Sequence, residues 1–226
     1  AENREKNKES GALRRWILRN QHVIKPVGKV IQERLQTLRE EISNRGSMLE
    51  SERQEVLALM NLGFMFTIGK DGGFTYRDGQ LLVGAALGDF SVVEFGTGEG
   101  KTYTSAIGLV LQYLQSPKGQ PAVQLVTTDT FAADNLKEVK KLLDFVGVGS
   151  GKLDANMSDE DKQKLLQSDG IVYSGVSTFF FEYLKDEGDK RKIFYNKDGV
   201  QLQYMINIDE IDSILIDQAA NAYIIS

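Results

Sequence analysis

Residues 92–102 read Val92-Val93-Glu94-Phe95-Gly96-Thr97-Gly98-Glu99-Gly100-Lys101-Thr102. A short apolar run enters a glycine-rich turn, and the turn opens into a segment of helical periodicity from Lys101 to about Gln115. Strand, loop and helix in that order give the context an anion-binding loop needs. Gly96, Gly98 and Gly100 let the backbone curl with its amides inward. Lys101 can reach β- and γ-phosphate oxygens, Thr102 can offer its hydroxyl to Mg²⁺, and the positive end of the helix dipole faces the anion. The strict nucleotide-loop pattern has glycine where Phe95 stands, so the match fails at one position while the closing Gly-Lys-Thr keeps the chemistry. A second stretch, Gly147-Val148-Gly149-Ser150-Gly151-Lys152, imitates the first. Leu153 follows its lysine and no strand precedes it, so it reads as an ordinary loop.

Outward from residue 92 the chain alternates. Strands are expected at 90–95, 122–127, 171–173 and 203–208, and helices at 101–115, 130–145, 177–184 and 212–219. This progression predicts an α/β fold with a mostly parallel sheet. Ser116-Pro117 with Gly119, the glycines 147 to 151, and the segments 185–192 and 196–199 suit solvated connections. The three phenylalanines 179–181 read as helix core packed on the sheet.

The run Tyr204-Met205-Ile206-Asn207-Ile208 leads into Asp209-Glu210. An acidic pair at a strand end, well downstream of a phosphate loop, is what phosphoanhydride hydrolysis requires. Asp209 can hold hydrated Mg²⁺, partly through water, and Glu210 is expected as general base for the attacking water. Asn207 inside this apolar strand needs a partner if buried, and the sequence names none. Asp212 either orients the water or stabilises the following turn.

Upstream, Trp16, Ile17, Val23, Ile24, Val27, Val30, Ile31, Leu35, Leu38 and Ile42 recur at helical spacing. Pro26 and Gly28 interrupt that stripe and predict a break between two helices near 25–28. Arg45-Gly46 reads as a stop, Ser51 and Gln54 have capping-box spacing, and the next helix is expected to end near Gly63. Gly69, Gly72, Gly73 and Gly79 then mark turns, and the apolar Leu81-Leu82-Val83 reads as strand-like. The expected division is a helical N-terminal segment over 1–62 and a nucleotide-binding domain over 63–226.

The whole chain has 226 residues, 32 acidic against 27 basic ones for a net charge of -5, 41% hydrophobic residues and no cysteine. Its length supports a real core without disulfides, and its balance excludes collagen-like, mucin-like and fully disordered classes. No run approaches the ~20 apolar residues that span a bilayer, and the opening AENREKNKES lacks a signal-peptide core.

These motifs resemble one family closely: SecA, the motor ATPase of the preprotein translocase. Its phosphate loop reads MKTGEGKT, here FGTGEGKT; its acidic motif reads DEVDSILIDEARTPLIIS, here DEIDSILIDQAANAYIIS over 209–226. The likeness extends to VTTDTFA at 126–132, IVYSGVSTFFFEYLKD at 171–186 and DGQL at 78–81. The resemblance implies a first RecA-like P-loop NTPase motor domain binding ATP or ADP with Mg²⁺. Gln80 would read the adenine edge, Thr97, Gly98, Glu99, Gly100, Lys101 and Thr102 would wrap the phosphates, and Thr102 with Asp209 would hold the metal. It further implies unfolded preprotein and a SecY-type channel as partners, a homodimer of the full-length protein, and a cytoplasmic or stromal protein peripheral at the membrane. A second motor domain that supplies an arginine finger is not among these 226 residues, so slow hydrolysis is expected of the chain alone. Gln218, Ala220, Asn221 and Ala222 depart from the family's Glu, Arg, Thr and Pro, and Asp134-Asn135 stand near a family Arg-Arg pair, which marks a divergent or accessory relative.

Two other readings remain at this point. A helicase-like ATPase would share the loop and the acidic motif. Its nucleic-acid-binding stretches should be rich in Arg, Thr and Gly, whereas here they are acidic or apolar, so no stable nucleic-acid partner is expected. A catalytically weak, nucleotide-gated adaptor would bind nucleotide tightly without turnover.

Overall fold

The computed structural model describes residues 21–68, 75–89, 91–96 and 98–214. Trp16, Ile17, Phe90, Thr97, Gln218, Ala220, Asn221 and Ala222 lie outside the described residues. The chain falls into two compact units: residues 1–115 with 139–148, and residues 116–138 with 149–226.

The first unit is helical. Helix α1 (Gln21–Arg45) buries Ile31, Leu35, Leu38 and Ile42, whereas Val30 of the same predicted stripe is 62% exposed. No break occurs at 25–28: Pro26 lies inside α1, which runs on through it to Arg45. Gly28 serves contact rather than termination, because a Cβ there would meet the Phe145 ring at 3.1 Å. Gly46 does end α1, at φ 75° with its amide donating to the Ile42 carbonyl. Helix α2 (Glu50–Thr67) starts two residues earlier than the Ser51 signal. Its N-cap is Leu49, whose amide donates to Glu52 Oε2 at 2.7 Å. It also runs past Gly63, where a Cβ would sit 2.6 Å from Val146 Cγ1, so this glycine too marks a close approach.

Helix α3 (Asp78–Gly88) replaces the strand expected around Leu81-Leu82-Val83. Gln80 supplies the start signal by accepting from the Arg77 amide at 2.9 Å. Helix α4 (Lys101–Gln115) is the buried axis of the unit, with every residue from Ala106 to Leu114 covered. Between α3 and α4, residues 91–96 form no strand. Val92 is 85% exposed, and an apolar run without a ladder partner has nothing to fix it as a strand.

The second unit holds a parallel sheet of order β2-β3-β1-β4: β1 (Ala122–Val126), β2 (Gly149–Lys152), β3 (Gly170–Gly175) and β4 (Met205–Ile208). This is the α/β architecture of a RecA-like domain. Helix α5 (Asp129–Val146) follows β1, and its residues divide between the two units. The stretch Gly149–Lys152, read as a loop, is an edge strand. It is not a phosphate loop, and its glycines make room: a Cβ on Gly151 would meet Leu165 Cδ1 at 2.6 Å. Helix α6 (Asp159–Leu166), which the periodicity missed, is capped by Ser158, whose Oγ accepts from the Asp161 amide. Helix α7 (Val176–Asp189) buries Phe179 against Phe194 and Tyr204 in edge-on ring contacts, while Phe180 stays 38% exposed. On one face of the sheet, Val123, Leu125 and Val172 form a core with Leu153, Leu166, Val176, Phe179 and Phe194.

Candidate functional site

The phosphate-loop sequence is held by two helices packed closely side by side. Gly84 of α3 faces Ile107 of α4 and Gly88 faces Leu111, where added Cβ atoms would come within 2.6 and 2.8 Å. From the other side, a Cβ on Gly108 would reach Leu87 Cβ at 2.6 Å. Because positions 84 and 88 meet 107 and 111 in the same order, the helices run in the same direction and their N-termini share one end. Gln112 Nε2 and Gln115 Nε2 donate to the Leu87 and Gly88 carbonyls, which answers the open end of α3.

At the shared N-terminal end lie Gln80 and the loop. Gln80 Oε1 takes the Arg77 amide, and its Nε2 donates to the Glu99 carbonyl at 2.8 Å. Arg77 Nη1 reaches Glu99 Oε2 at 2.7 Å, a second tie between the start of α3 and the loop. Gly98 and Gly100 both sit at φ 81°, a backbone shape that L side chains resist, and a Cβ on Gly100 would lie 2.7 Å from Gln80 Nε2. Thr104 Oγ1 donates to the Gly100 carbonyl, fixing the loop's exit into α4. Lys101 is the first residue of that helix and Thr102 the second. A curled loop at the N-terminus of a buried helix, with a lysine at the first position, fits the phosphates of a nucleotide.

The acidic pair belongs to the sheet. The Asp209 amide donates to the Leu125 carbonyl at 3.0 Å, carrying the β1–β4 ladder one step past Ile208. Glu210 then takes φ 55°, an uncommon left-handed conformation for a glutamate, and its carbonyl accepts from the Ile214 amide as a helical turn begins. The strained turn leaves Glu210 exposed and Asp209 half-buried. Asp212 is exposed. Asn207 finds the partner that the sequence could not name: its Nδ2 donates to Gln124 Oε1 at 2.9 Å. Among the described residues no three His, Asp or Glu side chains cluster as a metal cage. A pair of adjacent carboxylates suits Mg²⁺, which keeps several waters and takes its remaining ligands from phosphate.

The sequence profile of the SecA DEAD-like domain matches residues 3–226. The chain belongs to that family. Within it, the chain is 32% identical over 204 residues to the protein translocase subunit SecA of Helicobacter pylori strain Shi470, covering 88% of this chain and 23% of that protein. SecA of Helicobacter acinonychis is 31% identical over 204 residues, again 88% of this chain and 23% of the relative. SecA of Ruthia magnifica is 38% identical over 154 residues, 67% of this chain and 16% of the relative. The chain thus spans about a quarter of the length of the curated relatives it matches.

Within this SecA DEAD-like domain the geometry adds residues that no motif flagged. Arg77 was invisible because its role depends on the fold of α3 rather than on local spacing. Gln124 was hidden inside an apolar strand, although a polar residue in such a strand is itself a signal. No helix among the described residues is long and apolar enough to cross a membrane.

Proposed function

We propose that this chain carries the first nucleotide-binding motor domain of a protein-translocating ATPase. The observation that carries the reading is the loop: Gly98 and Gly100 at φ 81° delivering Lys101 and Thr102 at the start of α4. ATP or ADP with Mg²⁺ would supply the phosphoanhydride and its charge-neutralising metal. Gln80 reads the adenine edge, giving up its bond to the Glu99 carbonyl to do so. Gly98, Glu99 and Gly100 would offer backbone amides to the phosphates with Thr97, Lys101 would place its ammonium on the β/γ oxygens, and Thr102 and Asp209 would hold the metal, partly through water. Glu210 takes a proton from the attacking water.

In this reading residues 63–226 are the nucleotide-binding part and residues 1–62 a helical segment joined to it. The full-length protein works on unfolded preprotein at a SecY-type channel, as a peripheral protein on the cytoplasmic or stromal side of the membrane, and forms a homodimer. A second motor domain completes the catalytic charge, so this chain alone binds nucleotide and turns it over slowly. Nucleic acid is not its substrate.

The test is ATP turnover of the full-length protein, with and without an unfolded secretory polypeptide, beside a Lys101→Ala version. Stimulation by polypeptide that disappears in the variant supports the motor. Salt-sensitive stimulation by single-stranded RNA would establish a helicase-like enzyme instead, and tight binding without turnover would establish an adaptor.

A further inference from the structure

Strand β4 is four residues long and, among the described residues, is paired only with β1. Such a ladder has few hydrogen bonds to hold it in register, and a slip by one residue would turn every side chain, Asp209 included, to the opposite face. Against that background two polar residues stand in a row where a covered parallel strand would ordinarily carry Val, Ile or Leu. Gln124 is 1% exposed and Asn207 7%, and they are register partners across β1 and β4. Asn207 Nδ2 donates to Gln124 Oε1 at 2.9 Å, and Gln124 Nε2 turns to the Leu125 carbonyl at 3.4 Å. That same carbonyl accepts the Asp209 amide at 3.0 Å. One buried amide therefore touches both the strand that bears the acidic pair and the backbone atom that anchors it. In a register shifted by one residue Ile206 or Ile208 would oppose Gln124, and two buried amides would lose their partners.

We propose that Gln124 and Asn207 are positioning residues for the acidic pair: their buried amide–amide bond pins β4 in register on β1 and so fixes where Asp209 and Glu210 present their carboxylates. The role of the carboxylates rests on the ATPase reading above; the pinning does not. Asp209 continues the ladder, so by strand alternation it shares a sheet face with Asn207. A purely apolar pair at the two positions would cover the sheet equally well yet leave the register to four residues of backbone. Specificity of pairing, rather than burial, is what the two amides add.

The experiment uses the full chain, wild type against the double replacement Gln124→Val/Asn207→Val, in which no buried amide is stranded, and against Asn207→Val alone. Backbone amide exchange over 205–210 is measured beside exchange over 122–126 and 170–175. The pin predicts at least tenfold faster exchange at 205–210 in the double variant, with protection in β3, which does not pair with β4, unchanged. Equal protection at 205–210, or an equal loss in all strands, overturns it. A second arm measures affinity for a fluorescent ADP with and without Mg²⁺. The positioning role predicts an unchanged affinity without Mg²⁺ and at least a fivefold smaller gain on adding it. A gain equal to wild type, alongside altered exchange, overturns the positioning role and leaves only a structural bond. If the wild-type chain binds no ADP, the ATPase reading fails, and the exchange data alone decide the pin.

Discussion

Gly98-Glu99-Gly100-Lys101 and Gly149-Ser150-Gly151-Lys152 share one pattern of glycine and lysine and fold into opposite objects. In the first, both glycines stand at positive φ, the chain turns on itself, and the lysine opens a buried helix. In the second, the glycines are extended in an edge strand, and the lysine bonds Asp154 at 2.8 Å. The first pair of glycines is there for backbone shape. The second is there for room, beneath Leu165 and beside the Asp169 carbonyl. A motif written in residue types does not distinguish the two uses; the element that follows does. Helical periodicity follows Thr102, whereas β3 waits as a ladder partner for Gly149–Lys152.

The largest effect should separate the two lysines. Replacing Lys101 with Ala should weaken ADP binding about 10- to 100-fold, the loss of one charged hydrogen-bond donor. Lys152→Ala should change it less than about twofold. Fluorescence titration of both variants decides the point, and similar losses would erase the distinction. Next come the glycines. Gly170 pairs with Gly149, and a Cβ on it would sit 2.3 Å from the Gly149 carbonyl oxygen, a backbone atom that cannot swing aside. Gly170→Ala should cost roughly 1–3 kcal/mol in thermal stability. Gly98→Ala meets nothing within 4 Å. Its strain at φ 81° should cost about 1 kcal/mol in stability, with a clear loss of nucleotide binding. A greater loss of melting temperature in Gly98→Ala than in Gly170→Ala would contradict the division between shape and room.

The smallest effect is acid dependence. Lys152 and the Asn156 amide hold the Asp154 carboxyl below its ordinary value of 3.8. A lowered carboxyl stabilises the fold above 3.8 and loses that contribution as pH falls through its folded value. With Asp154 43% exposed, the pair is worth under about 0.5 kcal/mol. Melting of wild type and Lys152→Met should therefore differ slightly at pH 6 and converge once the pH falls below the carboxyl's folded value. A gap that persists in acid would assign the effect to the lysine's packing.

Wherever periodicity coincided with burial, the sequence was legible. Ile31, Leu35, Leu38 and Ile42 face inward as their spacing predicts, and α4, α5, β1 and β3 fall within a few residues of their expected bounds. The family resemblance, drawn from the loop and acidic motifs, was also readable. Glycine misled where it served contact: Gly28 reads as an interruption and Gly63 as a stop, yet each lies within a helix and lets a neighbour approach. The apolar run before the loop misled for the opposite reason, since a strand is a property of two segments and periodicity reports one. Gln124 and Arg77 act through partners far along the chain, at Asn207 and Glu99, and no local pattern encodes a partner.

Gly84, Gly88 and Gly108 leave almost no space between α3 and α4. Helices joined so closely have no cushion of side chains to deform, so they shift as one lever. Whatever displaces Gln80 at the start of α3 therefore drags Lys101 at the neighbouring start of α4, and a pull on the one would be felt by the other without any change within the two helices.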